Sequence, residues 1–419
     1  MEDSGVLEQA GKDSRQQQQQ AHLESQTSQV LKVLEALKEA SHTLQTTKIK
    51  NSSSSNSAPI NALLELETEA AIFSDDPTLA ALAHHLSHLK SLLDTLHQSK
   101  PTSPIRSFFR RRANAHHISR VAGSIESEIQ AWIDRETVES LVNSVNSPTA
   151  DDDQKLGLMK AFESRIAQGF DRELQDLVLK LKVFAAVEST LCSPTASKSV
   201  REQAAFLVAA VVQFNKNVFV GEVLMGPTVR ALVSTATVSF IRVLCSLIRS
   251  IKSPLVEDMQ SNRELPKIIG FLGSEEVEVR VAALDLVLEI GYFGRKEAVE
   301  EMVEVGLVKK LIELQRSDGG GNLIEMGGGI EEEEDEKGVE TEAAAASKKR
   351  SSKELRFLER HPFASCVARF AIQLEVGEGL RQREKRALKL EVLRRVREAA
   401  SSDAEAATIL AEVLWGASP

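Results

Sequence analysis

"EEVEVRVAALDLVLEIGYFG", residues 275–294, is the most strongly patterned stretch of the chain, yet it holds no cysteine, histidine or serine. Val279, Ala283, Leu286, Val287 and Ile290 fall at i, i+4, i+7, i+8 and i+11, an apolar stripe along one side of an α-helix. Val281, Leu284 and Leu288 form a second stripe beside it. A helix that is apolar on two sides must be covered on two sides, so this segment predicts an inner wall of a helical stack, with Glu275, Glu276, Glu278 and Glu289 left for water. Its contribution is architectural, and chemistry has to be sought elsewhere.

Working outward, related segments appear at a repeat distance. "TVRALVSTA" at 228–236 returns as "LPKIIGFLG" at 265–273 and "VKKLIELQR" at 308–316, with "VFAAVESTL" at 183–191 as a weaker earlier copy. With Val187, Val233, Ile269 and Ile312 taken as equivalent, the spacings are 46, 36 and 43 residues. The helices that precede these copies agree. "VREQAAFLVAAVV" from 200 aligns with "VRVAALDLVLEIG" from 279 at an offset of 79, the same as that separating Val233 from Ile312. A repeat of roughly 40 residues built from helices is the signature of an α-solenoid, in which no unit buries its apolar face alone.

The rest of the chain fits helices joined by polar segments. Of its 419 residues 42% are hydrophobic and 27% charged, as in ordinary globular proteins, and an aromatic content of only 4% favours aliphatic helix packing over sheets. Residues 1–27, with the tract Gln16–Gln20, are too polar to offset the entropy of ordering and read as a disordered tail. Stripes at Val30, Val33, Leu34, Leu37 and Leu44, at Leu79, Leu82, Leu86, Leu89, Leu93 and Leu96, and at Ile118, Val121, Ile125, Ile129 and Trp132 predict a helical bundle over 28–146. The last stripe continues through Val138, Leu141, Val142 and Val145. Repeats follow over 155–316. Residues 317–353, with two Gly-Gly-Gly triplets, the acidic run Glu331–Glu336 and a Lys-Lys-Arg cluster, read as a solvated insertion, after which Val367, Phe370, Ala371 and Leu374 renew the repeat pattern over 354–416.

"VREQAAFLVAAVV" resembles the second helix of an armadillo repeat, and "GLVKKLIELQ" resembles the third, which commonly reads as a glycine followed by a Leu-rich turn. The fold class expected is therefore all-α, an N-terminal helical bundle followed by an armadillo-like α-solenoid. The layout is similar to that of plant U-box/armadillo proteins, but no segment between bundle and repeats has room for the U-box. The resemblance implies a protein-binding scaffold, with a substrate adaptor of a ubiquitin-ligase pathway as the alternative. Armadillo proteins that clamp extended peptides carry an asparagine near the end of each inner helix. Ala209-Ala210 and Leu288-Glu289 occupy the nearby positions here, which argues against import-receptor cargo binding. The exposed positions Arg230, Lys267, Lys309 and Glu313 of the Leu-rich helices are the candidate partner contacts.

Chemical motifs give no support for catalysis, and no cofactor or metal is expected. The glycine triplets lack the Gly-Lys-Ser/Thr of a phosphate loop, and Ser, His and Asp are scattered without nucleophile-elbow or zinc-hydrolase spacing. His84, His85 and His88 share a helix but lack the further ligands a zinc site needs, so they read as solvated. Cys192, Cys245 and Cys366 are odd in number, far apart and set among apolar residues, which fits reduced core thiols in an intracellular protein. The cytoplasm is the expected location, with the nucleus or a membrane periphery as alternatives. The N-terminus has no apolar leader core, and the longest apolar run is about half of the ~18 residues that a membrane span requires. A net charge of −10 disfavours nucleic acid as the main partner. "RSFFRRR" combines Arg106, Arg110, Arg111 and Arg112 with Phe108 and Phe109. It admits three readings: a helix start with its aromatics packed inward, a dock for an acidic partner, or a contact with an anionic membrane surface.

Overall fold

The computed structural model of the protein describes Lys38, His84, His85, Ser87, His88, Ser91 and residues 104–147, 150–321 and 357–415; of 104–116, Ile118, Ser119 and Trp415 it describes the backbone only. The tail 1–27, the stripes at Val30–Leu44 and Leu79–Leu96, and the insertion from 322 to 356 belong to expectations that lie outside the described residues, apart from the few positions named. Among the described residues every regular element is a helix.

The chain divides into two units, Met1–Ser140 with Arg172–Leu181, and Leu141–Asp171 with Lys182–Pro419. The first is represented by most of α1, Pro104–Asn146, and by α3, Arg172–Lys180. The stripe Val121, Ile125 and Ile129 is buried on α1, and so is Val138. The two groups belong to one continuous helix: "DRET" at 134–137 contains no Gly or Pro, and the helix runs on through it for 43 residues in all. Gln130 binds Asp134 at 2.6 Å, and the Lys38 ammonium donates to the Gln130 side-chain oxygen.

The second unit is a stack of helices. It begins with the end of α1 and α2, Asp152–Ile166. Then follow α4 (Val183–Cys192), α5 (Lys198–Phe214), α6 (Lys216–Met225), α7 (Thr228–Ser234), α8 (Val238–Ile251), α9 (Ser253–Ser261) and α10 (Leu265–Phe271). Next come α11 (Val277–Phe293), α12 (Lys296–Glu304) and α13 (Leu307–Arg316), and finally α14 (Cys366–Val376), α15 (Gln382–Ala399) and α16 (Asp403–Trp415). The long helices start at 198, 238 and 277, and two shorter helices follow each of them. They also form a continuous column, α2 packing on α5, α5 on α8, α8 on α11 and α11 on α14.

The column is held by a burial register that recurs from helix to helix. Val200, Gln203, Ala204, Leu207, Val208 and Val211 are buried on α5. Phe240, Val243, Leu244, Leu247, Ile248 and Ile251 are buried at the matching places on α8, and Val279, Ala282, Ala283, Leu286, Val287 and Ile290 on α11. The offsets are 40 and 39 residues. Hydrogen bonds mark the same step: Gln203 to Glu163 at 2.6 Å, Arg249 to Glu289 at 2.7 Å and Ser253 Oγ to the Phe293 carbonyl at 2.6 Å each span 40 residues. Each also joins one repeat to the next, so the period read from sequence is the spacing of physical contacts. Val187, Val233, Ile269 and Ile312, the residues that suggested the uneven spacing, all lie buried on the short helix that precedes a member of the column. Their helices are 7–10 residues long and their connections differ, which spreads the intervals around the 40-residue step.

Two glycine features control close approach. A Cβ on Gly291 of α11 would lie 2.9 Å from Cε2 of Phe370 on α14, so the missing side chain lets these helices meet. The first glycine triplet, expected as a linker, is part of the structure. The Phe363 N–H donates to the Gly319 carbonyl and the Ser365 N–H to the Gly321 carbonyl, both at 3.0 Å. Gly319 and Gly321 have φ of +84° and +123°, values glycine adopts at little cost. The chain that leaves the stack after α13 and the chain that re-enters before α14 are thereby joined at their base.

Candidate partner-binding surfaces

The sequence-nominated residues lie on the short helices. Arg230 is exposed on α7, Lys267 on α10, and Lys309 and Glu313 on α13. Arg230 lines a surface cavity of about 430 Å³ with Leu224, Met225, Pro227, Asp258 and Glu264. Lys267 is paired with the buried Glu264 carboxylate at 2.8 Å, which brings it to the edge of the same cavity. Burial raises the Asp258 carboxyl above its ordinary range, although Asn262 binds it and opposes the rise. Met225 at the rim is 90% exposed. Glu313 is engaged by Lys310 at 3.0 Å, whereas Lys309 points outward from the next turn. Two of the four residues thus share one recess; the other two occupy a separate helix.

Sequence reasoning passed over a second surface, the solvent edge of the long-helix column. Beside the buried faces lie exposed or half-exposed positions: Glu202, Phe206 and Gln213 on α5, Arg242, Ser246 and Arg249 on α8, Asp285, Glu289 and Tyr292 on α11, of which Phe206, Ser246 and Asp285 share one place in the register. Gln213 donates to Ser246 Oγ at 2.8 Å and Arg249 pairs with Glu289 at 2.6 Å, so the polar side chains bridge adjacent helices. Desolvation raises the Asp285 carboxyl, while the positive charges of Arg369, Arg249 and Arg242 pull the other way. The Arg249 guanidinium is pushed up by its hydrogen bond to Glu289. Phe206 keeps 37% of its surface in water, an aromatic anchor set among polar groups. Ala209 and Leu288, near where peptide-clamping armadillo proteins carry asparagine, are wholly and partly buried respectively. A sequence signal for this strip is helix length, because the 14- and 17-residue helices α5, α8 and α11 stack on one another. The resemblance numbered them as second helices and directed attention to the Leu-rich helices instead.

The other candidates resolve simply. Arg106–Arg112, with Phe108 and Phe109, fall in the first turns of α1, and their side chains lie outside the described residues. His84 and His88 are exposed, and Ser87 and Ser91 donate back to their carbonyls at 2.9 Å. Among the described residues no group of three His, Cys, Asp or Glu side chains could hold a metal ion, and no helix is long and apolar enough to cross a membrane. Burial pushes the Cys245 and Cys366 thiols up to about 12, and it also raises Cys192 at the end of α4. None is an activated nucleophile.

Helices in sets of three, repeated every 39 or 40 residues with the long member forming the spine, decide the architecture. The stack is an armadillo-like α-solenoid. Among solved structures, the chain is similar to a designed armadillo repeat protein at 15% identity, covering 67% of this chain and 99% of that one, with a TM-score of 0.38. A designed armadillo repeat protein in complex with the peptide (KR)4 gives 16% identity, coverage of 66% and 99%, and a TM-score of 0.38. An engineered protein overlaps more of the chain, 92% against 99% of its own length, at 15% identity and a TM-score of 0.39. Likeness this loose assigns neither family nor ligand. No protein-family model and no curated protein matches the sequence.

Proposed function

We propose that the protein is a non-enzymatic scaffold that binds a segment of a partner protein along the solvent edge of its long-helix column. The supporting observation is the shared register: the same six positions are buried on each of the three long helices, while Phe206, Ser246 and Asp285, one residue before the leucine layer, reach solvent and differ in chemistry. Stacking therefore presents a row of side chains at fixed intervals on a rigid spine, which suits an extended ligand better than a small molecule. Phe206 would supply the apolar anchor and Arg242, Arg249, Asp285 and Glu289 the polar contacts. The recess around Arg230, Lys267 and Glu264 is the alternative surface.

Two variants distinguish the surfaces: Phe206→Ala with Arg242→Glu and Asp285→Arg on the column edge, and Arg230→Glu with Lys267→Glu and Lys309→Glu on the short helices. Partners captured by the wild-type protein are purified and titrated by calorimetry against all three proteins, with thermal unfolding checked in parallel. Loss of binding in the first variant alone supports the column edge. Loss in the second alone moves the site to the short helices, and binding untouched by both overturns the scaffold surfaces named here. A role as ubiquitin-ligase substrate adaptor rests on resemblance; reconstituted transfer with E1, E2 and a captured ligase tests it, and a partner whose ubiquitination is unchanged by the scaffold rejects it.

A further inference from the structure

The helix α15 carries seven basic residues against three acidic ones, and the basic excess faces outward. Arg383, Arg386, Leu390, Arg394 and Arg397 follow one another at three- and four-residue steps, which places them on one side of the helix. All five are exposed, Leu390 by 68%. The three acids are already committed. Glu391 is held by Arg394 and Arg395, Glu398 by Arg394, and Glu384 accepts from the Arg381 N–H at 2.8 Å. Lys389 is satisfied by Glu375 at 2.8 Å and Lys385 by the Glu375 and Gly377 carbonyls, also at 2.8 Å. Arg383, Arg386 and Arg397 have no hydrogen bond or ion pair with any described residue, although each is a fixed charge on a rigid helix. A basic stripe beside an exposed leucine remains in search of an anion.

The chain itself holds a complementary segment. Glu331–Glu336 is six consecutive acidic residues, inside the stretch between Gly321 and Phe357. Its point of departure is close to α15. The Gly321 N–H is bonded to the Gln315 carbonyl at 3.3 Å, and the adjacent residue, Arg316, donates to the carbonyl of Ala399 at the end of α15 at 3.3 Å. The ten residues from Gly321 to Glu331 reach at most ~36 Å, whereas an 18-residue helix is about 27 Å long. Every arginine of the stripe is within reach, Arg397 first. We propose that Glu331–Glu336 docks on the Arg383–Arg386–Leu390–Arg397 face of α15 within the same molecule. Covalent tethering keeps the acidic run at a high local concentration, so individually weak surface pairs act together.

The test is arginine footprinting of the full chain with phenylglyoxal, read by peptide mass spectrometry. Wild type is compared with a variant in which Glu331–Glu334 and Glu336 become Gln and Asp335 becomes Asn; exposed Arg263, elsewhere in the stack, is the internal control. Expected is a severalfold slower modification of Arg383, Arg386 and Arg397 in wild type, lost in the variant and lost in ~1 M salt, with Arg263 unchanged throughout. Equal rates in the two proteins overturn the proposal. Protection that rises with protein concentration also overturns it, because the acidic run then acts on a second copy. So does wild-type binding to phosphatidylserine vesicles as tight as that of the neutralised variant, since a covered stripe would be screened from the lipid.

Discussion

Replacing Leu286 with alanine tests the stack at its centre. Leu286 is wholly buried near the middle of α11, which packs on α8 on one side and α14 on the other. Its counterparts Leu207 and Leu247 are equally buried, so the site belongs to a leucine layer that runs through three repeats. Leu→Ala changes in cores cost about 2–5 kcal/mol, the upper values arising where the surroundings cannot collapse into the space. A helix clamped from both sides has little freedom to move inward, and about 4 kcal/mol is expected. For a unit with about 230 described residues that lowers the midpoint by about 8–16 °C. The assays are urea unfolding followed by circular dichroism and hydrogen exchange of α8, α11 and α14. Because each repeat depends on its neighbours for burial, protection should fall in all three helices together. Leu286→Asp should be more damaging, since it places an unpaired carboxyl in the same layer. A cost below about 1 kcal/mol for the alanine variant, or lost protection confined to α11, would refute the layered packing.

Two further outcomes are fixed by titrating groups. The Glu405 carboxyl is held down at about 2, chiefly by its hydrogen bond with Arg316 at the end of α13, and by the Ser401 N–H and hydroxyl. Its folded value lies below the unfolded one, so the stabilisation is complete above the ordinary carboxylate range and is lost as pH falls toward 2. Glu405→Gln should cost about 1 kcal/mol or less at pH 7, since the pair is partly exposed and screened; the gap between variant and wild type in urea unfolding should shrink between about pH 5 and pH 2. A gap independent of pH would show that the amide loses something other than the charge. For the three cysteines, a disulfide reagent at pH 8 should modify Cys192 alone in the folded protein, and more slowly than a free thiol, with Cys245 and Cys366 reacting only on unfolding. Rapid reaction of all three would mean that the stack opens around α8 and α14.

The α11 stripes were readable because burial on two sides leaves few polar positions, and the same demand wrote a matching pattern into α5. Equivalence of Val187, Val233, Ile269 and Ile312 was readable too, since each is a buried residue of a short helix. The continuation of the α1 stripe from Trp132 to Val138 was readable across "DRET", a polar stretch that contains nothing that ends a helix. The surface was less legible. The exposed faces of α7, α10 and α13 and the exposed edges of α5, α8 and α11 carry the same kinds of residues, and amphipathic pattern alone says which face is buried without saying what covers it. Apart from helix length, only tertiary packing distinguishes the helices that stack as a column from those that flank it. Buried polar pairs were invisible for the same reason. Glu412 accepts from Ser365 at 2.6 Å and from Gln315 at 3.1 Å, contacts that link residues 47 and 97 positions apart.

The column also bears on what kind of segment could lie along it. At the layer of Leu207, Leu247 and Leu286 the repeats are identical, and one residue later they hold Val208, Ile248 and Val287, which differ by a single methylene group. One residue earlier they hold Phe206, Ser246 and Asp285: an aromatic, a small hydroxyl and an acid. Helical geometry ties these positions together, so the buried register fixes where the uncovered residues stand while leaving their chemistry free. A ligand with the same side chain at each step would meet a different surface at each repeat. The strip is therefore matched to a segment whose sequence changes along its length: apolar beside α5, acidic where Arg242 and Arg249 stand on α8, and basic or hydrogen-bonding beside Asp285 and Glu289 on α11. Moving Phe206 to the α8 position, by Phe206→Ser together with Ser246→Phe, keeps composition and core unchanged and alters only the order. Under the scaffold reading that swap must weaken partner binding while leaving thermal unfolding in place, because what the spine encodes is the sequence of contacts along it.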